Sequence, residues 1–68
     1  MTFGQLSVNG KFRLGKLPEG TLYTKVLLVV VNEHYQYNAI ATVMLDEGIR
    51  QKRVYFPDNT LVFSVVPG

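Results

Sequence analysis

The densest group of side chains able to act on a partner is Arg50-Gln51-Lys52-Arg53 with Tyr55 close behind. Side chains alternate between the two faces of a strand, so Gln51, Arg53 and Tyr55 share one face and Arg50 and Lys52 the other. Basic groups next to an aromatic ring suit a single nucleic-acid strand, with cations meeting phosphates and the ring stacking on bases. Lys11 and Arg13 add charge of the same sign. The cluster also has a plainer use, because lysine and arginine on a sheet edge discourage pairing with another chain. A second group lies in "NEHYQYN", where Tyr35 and Tyr37 stand two residues apart beside His34 and Glu33. Tyrosine offers a large contact area with a polar tip, which makes Tyr35, Tyr37 and His34 the candidates for binding protein.

Catalytic chemistry finds little to work with. His34 is the only histidine, and a metal site needs further ligands at a spacing the chain lacks. Asp46 and Glu47 are adjacent carboxylates, but they fall in a tight turn where acids are solvated. Ser7 and Ser64 have no G-x-S-x-G context and no base with an orienting partner. No glycine-rich phosphate loop is present. The expectation is a non-enzymatic chain with no catalytic residues, no metal, no cofactor and no small-molecule substrate.

Size sets the frame for these groups. Sixty-eight residues with 0 Cys make one domain, residues 1–68, with neither a disulfide framework nor a thiolate metal site. A core below about 80 residues rarely supplies more than a few kcal/mol, so self-association into a homodimer stays open for an unstapled chain. With 7 basic and 5 acidic residues the net charge is +2, a weak pull on nucleic acid. Val26 to Val31 is aliphatic throughout, yet a membrane span needs about 20 such residues, and Lys25 and Glu33 flank the run. No membrane partner is expected. The opening "MTFGQLSVNG" lacks the hydrophobic stretch of a secretory signal, so a cytoplasmic location is expected.

The elements that carry these residues read as strands, since no window of ten residues repeats apolar positions at helical spacing without interruption. Lys11–Leu14 is the first strand, followed by an ordered loop, Gly15–Gly20, with Pro18 inside it. Thr21–Val31 is the longest; past Val26 it loses alternation, so both faces need cover, and "VLLVVV" is predicted to be core strand. Ala39–Leu45 and Ile49–Phe56 form a hairpin across "DEG", with Gly48 in the left-handed position of a three-residue loop. Pro57 to Thr60 turns the chain, and Leu61–Val66 closes it. Phe12, Val26, Leu28, Ala41, Val43, Val54 and Phe56 are expected to face inward. On the last strand either Leu61, Phe63 and Val65 or Val62, Ser64 and Val66 are buried. The fold class is all-β, a small five-stranded SH3-like barrel of strongly bent antiparallel strands.

The motifs "FGQLSVNGKFRLG", "LYTKV", "NAI" and "FPDNTLVFSVV" carry a resemblance through Phe3, Leu6, Gly10, Phe12, Tyr23, Lys25, Val26, Asn38, Ala39, Pro57, Asp58 and Val62. On these positions the chain resembles small bacterial and phage proteins with SH3-like β-barrels. The resemblance implies a fold and no activity. The functional expectation is a binding module that associates with itself or docks on a protein partner through Val26 to Tyr37. The alternative is a sequence-tolerant nucleic-acid binder using Arg50, Lys52, Arg53 and Tyr55.

Overall fold

A computed structural model describes residues 1–15 and 21–65. A 3-10 turn, Phe3–Gln5, precedes five strands: β1 Lys11–Arg13, β2 Leu22–Asn32, β3 Tyr35–Leu45, β4 Gly48–Val54 and β5 Phe63–Val65. All neighbours pair antiparallel in one sheet, in the order β4-β3-β2-β1-β5. The all-β, five-stranded expectation is met. The sheet is not closed, in contrast to the expected SH3-like barrel, because β4 and β5 form its two edges. β2 and β3 each run eleven residues but engage β1 and β4 over part of that length, so the hairpins run past one another. No helix among the described residues is long and apolar enough to cross a membrane.

Most strand boundaries fall within one or two residues of expectation. The larger departure is β3, which begins at Tyr35 because Val29 and Val30 of β2 take Tyr37 and Gln36 as cross-strand partners. The β3–β4 loop is tighter than expected. Leu45 pairs with Gly48, leaving Asp46 and Glu47 as a two-residue connection, and Gly48 has the expected positive φ, +132°. Leu61 makes only an isolated bridge to Thr2. The expected Gly15–Gly20 loop, apart from Gly15, and the end of the last strand at Val66 lie outside the described residues.

Cross-strand pairing sorts the sheet into rows. Phe12, Tyr23, Ala41 and Lys52 stand in register on the core side; Lys11, Thr24, Ile40 and Arg53 stand in register on the other. The core is Phe3, Leu6, Phe12, Ala39 and Val62, with Tyr23, Val54 and Phe56 packed against it. It is a cluster of rings: Phe12 stacks on Tyr23 at 5.2 Å and meets Phe3 and Phe56 edge-on at 5.5 and 5.6 Å. Such pairs add about 0.5–1.5 kcal/mol each beyond area burial. Fully buried Ala39 fits beneath them because it has almost no side chain.

Of the residues expected inside, Phe12 and Ala41 are buried, and Val54 and Phe56 pack on the core. Val26 and Val43 are half-buried. Leu28 is a correction, since it is 55% exposed, and Val62 is the buried residue of the last segment while Phe63 and Ser64 are exposed.

The N-terminal segment closes the open side of this cluster. Phe3 N–H donates to Thr60 O at 2.8 Å, Gly4 N–H to Asp58 O at 2.9 Å, and Val62 N–H to Met1 O at 2.9 Å. The Lys25 ammonium donates to Phe3 O and Leu6 O at 2.9 and 2.7 Å and sits 4.7 Å from the Phe3 ring. One cation thereby bridges two carbonyls of the turn, adding to the Leu6 N–H that Phe3 O already accepts and giving Leu6 O a partner. Gly10 is required by close approach, since a Cβ there would lie 2.8 Å from Ser7 O. Asn9, at φ 74°, takes the left-handed conformation that asparagine tolerates.

Candidate interaction surface

The core ends partway along the two longest strands. The β1 side of β2 makes its last backbone bonds at Lys25, to Asn9 and Gly10, while β4 leaves β3 at the pair Ala39↔Val54. Beyond those points Val26–Asn32 and Tyr35–Asn38 run on as a two-stranded ribbon, with no third strand beside them among the described residues.

At its base the ribbon is bent. Regular pairing stops at Lys25↔Ala39 and resumes at Val29↔Tyr37, so Val26, Leu27 and Leu28 stand opposite Asn38 alone. An insertion of this kind bends the strand and sharpens its twist. The Asn38 side chain holds the bend from the other strand: its amide donates to Phe56 O at 2.8 Å, and its Oδ1 accepts from Phe56 N–H at 2.9 Å. Asn38 thus acts as a piece of strand backbone past the end of β4, and its buried polar atoms are satisfied.

Past the bend the aliphatic run lies on the surface. Leu27 is 73% exposed, Val30 63% and Val31 55%. This corrects the expectation that "VLLVVV" is core strand: the cover supplied by the 3-10 turn and β1 reaches Lys25 and stops there. The sequence carried a signal in the loss of alternation after Val26, which marks a segment whose two faces both need cover; among the described residues Leu27 to Val31 are left exposed.

The candidate residues for protein binding sit at the end of the ribbon. Glu33 and His34 form its tip, where His34 N–H donates to Asn32 Oδ1 at 2.8 Å and the imidazole is exposed. Tyr35 and Tyr37 lie with ring centroids 6.1 Å apart, Tyr35 exposed and Tyr37 half-buried. Tyr37 shares an open depression of about 480 Å³ with Val8, Val26, Leu27, Val29 and Ile40.

The alternative basic group is brought partly into the same place. Arg53, in register with Ile40, sets its guanidinium 5.4 Å from the centroid of the Tyr37 ring. Sequence alternation paired Arg53 with Tyr55, but Tyr55 lies past the end of β4, where strand alternation no longer governs direction. Arg50 and Lys52 are exposed on the opposite side of β4, paired with Val43 and Ala41. A second exposed apolar group that sequence reasoning missed, Met44, Leu45 and Ile49, occupies the β3–β4 tip at the far end of the sheet. Among the described residues no three His, Cys, Asp or Glu side chains gather where they could hold a metal.

An open antiparallel sheet with a bare aliphatic ribbon is therefore the class that the geometry defines. No family model matches this chain, and no curated protein or solved structure matches it either.

Proposed function

We propose that this chain is a small, non-enzymatic interaction module, cytoplasmic, that associates with itself or docks on a protein partner through Val26 to Tyr37. The observation that carries the proposal is the exposed run Leu27 to Val31 on a ribbon with no third strand among the described residues. Contiguous exposed apolar surface on a small protein marks an interaction site, and two tyrosines beside it are the residue type that such sites favour. Support for a nucleic-acid reading comes from the Arg53 guanidinium over Tyr37, a cation and ring placed together on the face opposite the core.

The fold is inferred to be an open variant of the SH3-like barrels of small bacterial and phage proteins. What supports this is a four-strand meander followed by a short β5 that returns to β1, and a core built from Phe3, Leu6, Phe12, Ala39 and Val62, all among the residues of the resemblance.

The test is solution mass across a concentration series, followed by titration with a fluorescent single-stranded oligonucleotide at low and moderate salt. A mass above the monomer that falls in the double variant Tyr35→Ala, Tyr37→Ala, with the oligonucleotide ignored, supports the interaction module. Equal association by both proteins removes this surface. A monomer that binds the oligonucleotide with steep loss in salt moves the function to the basic face, because phosphate contacts release counterions.

A further inference from the structure

Among the described residues, three of the strand edges that face outward differ in protection. The β4 edge carries Arg50, Lys52 and Arg53, and the β5 strand is three residues long; charge and shortness are both ways in which proteins blunt an edge. The outer edge of β2 beyond Lys25 has neither, its relief being the insertion at Val26 to Leu28 and a second register shift between Val30 and Asn32. From Leu27 to Val31 it is five aliphatic residues without a charge or a proline, and the backbone groups turned away from β3 have no neighbouring strand among the described residues.

We propose that a second copy of this chain covers this edge, with the two β2 strands pairing antiparallel about a two-fold axis at Val29. The inference rests on the interaction-module reading and names its partner. In that register Leu27 meets Val31 of the second copy and Leu28 meets Val30, so aliphatic faces aliphatic throughout. Other registers leave part of the run uncovered. Tyr37, already paired with Val29, extends the row on either side of the axis.

Area points the same way. The chain exposes 5243 Å², whereas a folded monomer of this mass, 7.7 kDa, exposes about 4,300 Å². The excess, on the order of 900 Å², is close to the roughly 800 Å² that each partner gives to a standard interface.

The chain has 0 Cys, so single cysteines report the register cleanly. In the full chain Val29→Cys places two cysteines directly opposite across the axis at about 5 Å between Cα atoms, within disulfide reach. Leu27→Cys places them four residues apart along the strand, about 13 Å, and out of reach. Under mild oxidation Val29→Cys is expected to cross-link at least ten times faster than Leu27→Cys. Leu28→Lys, at an exposed position that leaves the core alone, is expected to raise the dimer dissociation constant a hundredfold or more. A wild-type dimer whose two cysteine variants cross-link equally, or which Leu28→Lys leaves intact, overturns the edge pairing while the interaction module stands. A wild type that stays monomeric at every concentration overturns the second copy as occupant. Loss of the module itself is read separately, from the tyrosine double variant and the oligonucleotide.

Discussion

Leu22 to Lys25 and Val26 to Val31 belong to one strand and meet different fates. The first four residues are half-buried, Tyr23 and Lys25 against the aromatic rings; all but the first of the next six are exposed. Hydrophobicity does not separate them, since the exposed part is the more apolar. What separates them is cover: Phe3, Leu6, Phe12 and Phe56 roof the sheet up to Lys25, and past it the described chain brings Val8 beside Val26, Leu27 and Val29 without burying the run. Burial in so small a domain is set by how far its few large side chains reach.

Substitutions on either side of Lys25 can break this comparison. Phe12→Ala removes a fully buried ring with three ring neighbours and is expected to cost about 3–5 kcal/mol, enough to unfold much of the population in urea titration. A loss below about 1 kcal/mol would mean that the rings do not hold the core. Asn38→Ala sits at the boundary. It strands the N–H and C=O of Phe56, at about 1–3 kcal/mol for each group left buried without a partner, and should also release the bend. Faster amide exchange from Tyr35 through Asn38 would register that release, and unchanged exchange would count against it. Leu28→Ala should cost least, within about 0.5 kcal/mol when unfolding is followed on dilute, monomeric protein. A cost near that of a core leucine would mean that the ribbon is covered within one chain.

The parts of the fold legible in the sequence were those governed by local rules. Alternation from Ala39 to Leu45 and from Ile49 onward, with Gly48 between, marks the β3–β4 hairpin without help from distant residues. Phe12, Ala41, Val54 and Phe56 were legible as core for the same reason. Phe3 and Leu6 were not, because a single 3-10 turn has no periodicity and their burial depends on hydrogen bonds to Thr60 and Asp58, more than fifty residues away. Tyr35, Tyr37 and His34 were legible as an exposed group next to an aliphatic run. The meeting of Arg53 with Tyr37 was not, since it requires β4 to stand in register with Ile40 and the β2 insertion to turn the ribbon at its base.

The bonds that tie Met1, Phe3 and Gly4 to Val62, Thr60 and Asp58 also order events in time. Contacts between residues so far apart in sequence form late and slowly, because the loop between them must close before they reward it. On the ribosome Phe3 and Leu6 emerge well before Asp58, Thr60 and Val62 and wait until those partners arrive. Leu27 to Val31 is synthesised in the middle of that interval, and each nascent chain carries it bare. In a polysome, neighbouring chains carrying the same stretch would be the first surfaces available to one another.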